Sequence, residues 1–428
     1  MKHLFSTALF ILLGLSICGQ SIDTIYRVED MKKSVSFAML TLGGDVLTLP
    51  GGKMSINNEN VNLPSSLVPR FTIGGTHFWG HADFYVHFPL GISFNKTPSF
   101  ASSYNLFEEV ETGAKFYPWA MKPKRLVPFV GISFQPFIFR TELKDKEYKY
   151  GGATHEKFTT PIHAGLTYMT NKLIFNLGVR YDGDRNFNYY TSPIKTSLTS
   201  IQPFSINFGI VRYMDTDRGL GTVNATDQLN KKHHILKKHN KLNAWYWGIG
   251  PSAALQLSKS PFLKSKHPYL YDDMLNSFLI PELTVGRYFH KADMNLSTSF
   301  RYMAWSSKAF DTKLKMNRIS LAIEPYKFLF DYHGFVPFVG PSLNIDKLSV
   351  NINDKVTSAN KTSLGIVFGW DIRVTQTGTS LLRTNLRYVP NLHLKVDNEK
   401  LMFDHLEFNF IQYVHFFGRS KAYDKYRK

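Results

Sequence analysis

From Lys33 onward apolar residues repeat with period two far more often than with the helical period, and this alternation constrains the chain more than any other feature. Leu173, Phe175, Leu177, Val179 and Tyr181 are interleaved with Ile174, Asn176, Gly178, Arg180 and Asp182. Ala82, Phe84, Val86, Phe88 and Leu90 alternate with His81, Asp83, Tyr85, His87 and Pro89 in the same way. Leu364, Ile366, Phe368, Trp370 and Ile372 alternate with Ser363, Gly365, Val367, Gly369, Asp371 and Arg373. A period of two is the signature of a strand with two unlike faces, whereas amphipathic segments of helical period are nearly absent, so the chain reads as all-β. The strands span about 10 to 14 residues, longer than the ~5 to 6 usual in soluble sheets and close to the ~9 to 11 that cross a bilayer at a tilt. Their second faces carry charge together with Gly, Ser and Asn, which a barrel lumen accepts more readily than a sandwich core.

Connection lengths alternate short and long, as they do in outer-membrane barrels with short periplasmic turns and longer outside loops. A first strand at 33–42 is followed by a long polar loop to 67. Tight turns fall at Trp79 to His81, Pro118 to Lys124 and Thr170 to Lys172, and loops at 93–105, 141–156 and 183–202. The eighth strand, 203–214, returns the chain to the side where it began. Trp79, Trp119, Trp245 and Trp247 lie at strand ends on that side, where an aromatic girdle belongs.

Composition sets the compartment. Lys2 and His3, the apolar run Leu4 to Ile17 and the small Gly19 form a secretory signal over residues 1–19. Cys18 is the only cysteine, and the bulky Ile17 beside it fits a lipidation site poorly. Cleavage after Gly19 leaves no cysteine for disulfides or thiolate metal sites. The net charge of +18 in an exported chain points to phosphate-bearing lipids or an anion-favouring lumen rather than nucleic acid.

The sequence repeats internally. Val127-Pro128-Phe129-Val130-Gly131 recurs as Val336-Pro337-Phe338-Val339-Gly340, Ala82-Asp83 as Ala292-Asp293, and Arg180-Tyr181 as Arg387-Tyr388, at nearly constant spacing. The expected organisation is a first eight-strand repeat (20–215), a basic periplasmic connection (216–242), a second repeat (243–417) and a periplasmic tail (418–428). With its Pro-aromatic-Val-Gly strand, each half resembles the small outer-membrane barrels of the OmpA/OmpX type. That resemblance implies a transmembrane antiparallel up-and-down β-barrel, with outer-membrane lipid, the assembly machinery and envelope proteins as partners. The tail after Phe416-Phe417 departs from the terminal aromatic residue on which such barrels often finish. Two closures are open: one barrel of about 16 strands, the preferred reading because it suits the chain length, or two eight-stranded barrels in tandem. The first leaves an aqueous channel and the second a filled interior.

Asp83, Glu109, Glu111, Lys115, Arg180, Asp182, Asp293, Arg373 and Arg387 are the candidate lumen residues. Glu109 and Glu111 share a face that Lys115 and Arg180 can neutralise. Lys231, Lys232, Lys237, Lys238 and Lys241 form a basic patch read as a solvated linker, with lipid headgroups or a partner as the alternative. His234 and His239, five apart, do not make a metal pair. Asp182, Asp184 and His163 could supply acid-base chemistry, yet Asp-Gly-Asp is ordinary turn sequence and the second half has Val389-Pro390-Asn391 there. No enzyme, cofactor or metal is expected. The functional expectation is a passive or weakly selective pore for small polar or anionic solutes, the alternative a non-conducting scaffold or docking component of an envelope complex.

Overall fold

Turn chemistry marks where the long strands fold back. Asn353-Asp354 and Asp397-Asn398 have positive φ at both positions, the geometry of tight hairpins that Asn and Asp tolerate best. The computed structural model describes residues 38–56, 59–90, 101–106, 110–143, 148–183, 185–215, 223–271, 276–331, 335–372 and 378–426. The signal segment, Cys18, Glu109, Asp184, residues 216–222 and Arg373 lie outside them.

The first half forms eight ring strands: β1 (Ala38–Leu49), β2 (Ser66–His77), β3 (Ala82–Pro89), β4 (Glu111–Phe116), β5 (Arg125–Leu143), β6 (Ile162–Met169), β7 (Leu173–Tyr181) and β8 (Phe204–Asp215). All neighbours are antiparallel, and β8 returns to β1 through a ladder from Met39↔Asp215 to Leu47↔Asn207. The second half forms β9 (Ala244–Gln256), β10 (Asn276–Phe289), β11 (Met294–Ala309), β12 (Thr312–Phe328), β13 (Phe335–Ile352), β14 (Lys355–Ile372), β15 (Ser380–Val389) and β16 (His405–Phe416). This set is also a closed barrel, with β16 paired to β9.

The preferred single sixteen-stranded barrel is therefore not what forms. Each strand has only two edges, and β8 spends its second edge on β1, leaving none for β9. The tandem alternative is the architecture. Outward positions such as Val130, Ile162, Leu177, Val179, Leu283, Val285 and Leu364 are exposed and apolar, while Arg70, Glu111, Arg301 and Glu407 are buried. Apolar outside and charged inside is the arrangement of a membrane-spanning barrel.

The two barrels touch along their sides. Phe88 of β3 meets Phe410 of β16 at 6.3 Å between ring centroids, and Phe78 meets Phe335 at 5.9 Å. This contact is why Val86, on a face meant for lipid, is buried. At the loop end the barrels are stitched by backbone. Tyr150 donates its N–H to the Phe310 carbonyl at 2.7 Å, and Phe310 donates to Gly151 at 2.7 Å. Loop hairpins from both halves, 52–63 and 186–201 in the first and 393–402 in the second, pack into one apolar cluster. Phe137, Phe139, Tyr189, Phe262, Phe310 and Phe403 are at its centre.

Part of the basic connection is helical. It contains helix α1 (Val223–Lys238), and the tail forms α3 (Arg419–Tyr426), the short α2 (Pro261–Lys266) lying between them in sequence. His233 and Leu236 are buried where α1 meets its neighbours. That apolar contact was hidden by the density of lysines around it.

Candidate functional site: the two lumens

Charged residues flanked on both sides by apolar ones must point inward when the apolar ones face lipid. Arg70 lies between Pro69 and Phe71, Arg301 between Phe300 and Tyr302, and Glu407 between Leu406 and Phe408. In the first lumen Arg70 donates to Asp45 at 2.7 and 2.5 Å and to Glu111 at 2.5 Å, and Arg180 donates to the same Glu111 at 2.7 Å. Tyr85 donates to Glu111 at 3.3 Å and shares a hydrogen bond with His163 at 3.1 Å. His87 pairs with Thr72 at 2.8 Å, and Lys115 faces Asp83 at 3.6 Å. Three carboxylates balance three cations. The cavity left among Asp45, Thr72, Asp83, Tyr85, His87 and Lys115 is about 10 Å³, no more than one water.

The second lumen is built mainly on arginine, with the buried His405 bonded to Glu407 at 3.0 Å and to Arg318 at 2.8 Å. Arg387 donates to Glu324 at 2.5 and 3.0 Å, to Glu407 at 3.0 Å and to Glu282 at 3.3 Å. Glu407 also accepts from Arg301 and from Arg318, and Arg318 donates to Asp346 at 2.7 Å. Arg383 holds Asp371 at 2.7 and 3.0 Å, with the rings of Tyr246, Tyr326 and Phe338 5.3 to 5.4 Å away. Arg301, Arg318 and Arg387 are each 1% exposed or less. Both lumens make room for a tyrosine with a glycine on the next strand. A Cβ on Gly113 would lie 2.4 Å from the Tyr85 hydroxyl, and one on Gly286 2.4 Å from the Tyr246 ring.

The sequence candidates fall as follows. Asp83, Glu111, Lys115, Arg180 and Arg387 project into the lumens as described. Asp182 sits at the loop end, held by Arg185 and by Thr159 at 3.2 Å, while His163 is engaged by Tyr85, so the two do not form an acid-base pair. Asp293 is a turn residue that accepts from Tyr288 at 2.9 Å. It is not the counterpart of Asp83. Ala82 faces Phe116, which faces Val130, and Met294 faces Lys327, which faces Val339. Val130 and Val339 are the same repeat position, so Asn295 corresponds to Asp83 and the Ala-Asp match was two residues out of register. Arg180 and Arg387 are true counterparts, reached from Gly131 and Gly340 by the same two steps across the sheet. Among the described residues no group of His, Cys, Asp and Glu is placed to hold a metal ion.

Of the basic patch, Lys231, Lys237, Lys238 and Lys241 are exposed. Lys232 lies over the Tyr423 ring at 5.5 Å, where burial and then the charge of Arg419 lower its pKa. His239 stacks on Tyr426 at 4.0 Å. Arg419 ties α3 to the barrel through the Gly378 carbonyl at 2.9 Å and the Leu242 carbonyl at 3.0 Å.

No family model and no curated protein matches this chain. Among solved structures, Neisserial surface protein A is similar at 19% identity over 40% of this chain and 96% of its own, with a TM-score of 0.27. Ail, the attachment invasion locus protein of Yersinia pestis, solved with the heparin analogue sucrose octasulfate, is similar at 13% identity over 41% and 96%, with a TM-score of 0.26. An outer membrane channel from Pseudomonas putida F1 is similar at 9% identity over 88% and 95%, with a TM-score of 0.20. All three are outer-membrane β-barrels. The overlaps are loose, and the assignment of this chain as a membrane β-barrel stands on its strand pairing and its apolar outer faces.

Proposed function

We propose that this chain is an outer-membrane double barrel that acts as a closed scaffold or docking component of the bacterial envelope, not as an enzyme. The observation that carries this reading is the filling of both lumens by buried, mutually paired charges. A solute crossing either barrel would have to displace arginines that share carboxylates with several strands, and each orphaned charge would cost several kcal/mol. Eight-stranded interiors are wide enough for side chains and little else. In this orientation the short turns and α1 face the periplasm, and the fused loop cluster faces outward to lipid headgroups and protein partners.

The competing reading is passive passage of small polar or anionic solutes, and one of the similar structures is described as a channel. An anion-favouring lumen needs uncompensated cations, and the described lumen residues are close to neutral. Single-channel conductance of the purified, refolded chain in a planar bilayer decides between them. The scaffold reading expects folded, inserted protein and no stable steps. Large stable steps with anion preference, read from the reversal potential in a salt gradient, would replace it with the pore.

A further inference from the structure

Among the described residues the lumens are nearly neutral, so the described positive excess lies outside them. We propose that one concentration of it, the outward lysines at the loop end of the second barrel, is a seat for the phosphate groups of lipid headgroups in the leaflet on that side. The inference rests on the membrane reading but on neither functional alternative.

Lys308 of β11 and Lys313 of β12 face each other directly across the ladder, and Lys315, the next outward residue of β12, faces Ser306. Lys347 of β13 faces Ile319. From the first barrel, the loop that locks the two halves adds Lys149. Its ammonium lies 5.2 Å from the Tyr150 ring, and that of Lys313 lies 5.6 Å from the same ring. Like charges directly opposite on a sheet are destabilising. Among the described residues the internal relief is confined to carboxylates at the hairpin tips. Of the described carboxylates here, Asp311 at one hairpin tip accepts the backbone N–H of Lys149 at 3.1 Å, and Asp354 lies in the next turn beside Asn353, whose side chain accepts the backbone N–H of Lys313 at 2.9 Å. Lys149, Lys308, Lys315 and Lys347 are exposed. An external anion between them turns a repulsive cluster into a favourable one.

Height along the strands selects a lipid. The outward apolar series on β11, β12 and β13 ends at Tyr302, Ile319 and Ile345, all exposed. Lys347 is two residues past Ile345 and Lys315 four past Ile319, about 7 and 13 Å at ~3.3 Å per residue, less with strand tilt. The headgroup layer begins at the edge of the apolar band, and lysine stems reach back toward it while the ammonium stays in the polar layer. Tyr302, donating to Asn317 at 3.4 Å, marks the boundary with an amphipathic ring.

The test uses the full chain in detergent with bisphosphorylated lipid A and with the same lipid stripped of phosphate, binding being read by native mass spectrometry. The phosphorylated form should bind at least about ten-fold more tightly, since each lysine near an anionic lipid surface contributes appreciably. Lys308→Gln with Lys313→Gln and Lys315→Gln should bring the two lipids within about two-fold. Lys124→Gln with Lys172→Gln, at the opposite end, should leave the preference intact. Equal binding of both lipids by the wild type, a preference that survives the triple substitution, or displacement of the lipid by inorganic phosphate at matched phosphate concentration would overturn the proposal. Protease protection after insertion into liposomes keeps the two levels apart. A chain that inserts yet shows no phosphate preference loses this seat alone, and a chain that does not insert loses the membrane reading with it.

Discussion

The two lumens solve one problem with different chemistry. Both close eight antiparallel strands around a buried arginine at the same repeat position, Arg180 in the first and Arg387 in the second. In the first, two arginines share one carboxylate, Glu111, and a tyrosine, two histidines and a lysine complete the filling. In the second, Arg301, Arg318 and Arg387 share Glu407, and Arg387 draws on Glu324 and Glu282 as well. The carboxylate on the fourth strand has slid by two residues, since Glu324 lies in register with Gly113 and not with Glu111. A long arginine reaches a carboxylate at either height, so a duplicated barrel can keep the cation and let its partner move along the strand.

The largest test of that contrast is Glu407→Gln beside Glu111→Gln. Glu407→Gln strips a carboxylate from three arginines and should cost about 3 to 5 kcal/mol, the usual penalty for leaving a buried charge unpaired. Glu111→Gln strips a carboxylate from two arginines, of which Arg70 keeps Asp45 and Arg180 keeps, among the described residues, only the Ser133 hydroxyl, so its cost should be somewhat smaller. Urea unfolding of both variants in the same micelle measures the difference, and equal losses would mean the two networks are equally redundant. A sharper test removes a pair whole. Asp371→Leu alone orphans Arg383 and should destabilise by about 3 kcal/mol. Asp371→Leu with Arg383→Met should return to within about 1 kcal/mol of the parent, because the aromatic surroundings of Arg383 accept an apolar chain. The smallest effect belongs to Lys355→Ala at the exposed Lys355–Asp397 pair, 3.3 Å apart with both side chains more than half exposed. It should shift stability by less than about 0.5 kcal/mol. A large loss there would show that the loop-end hairpins share the cooperativity of the lumens.

Much of this was legible in the sequence. The strand period sets Arg180, Glu111, Lys115 and Asp83 on the charged face of their strands, and the structure buries all four. The same rule would have found Arg70, Arg301 and Glu407, each set between apolar residues of the outer face. Closure was not legible, since pairing of β8 with β1 or with β9 depends on which edges meet and leaves the alternation unchanged. Burial of Val86 was hidden for a related reason. A face that packs on a second barrel has the same composition as one that packs on lipid. Helix α1 was masked by its lysines, and the register of Ala292-Asp293 by a dipeptide match too short to fix it.

The claim at the centre is that each half closes on itself, and a cross-strand disulfide tests it most directly. Leu40 of β1 and Met214 of β8 face each other across the closing ladder. In a Cys18→Ser background, Leu40→Cys with Met214→Cys should oxidise readily in the folded, inserted protein, because facing positions lie within disulfide reach. The bond would be read as altered mobility that reverts on reduction. A pair that stays reduced in protein shown to be folded would contradict separate closure and return the chain to a single wide ring.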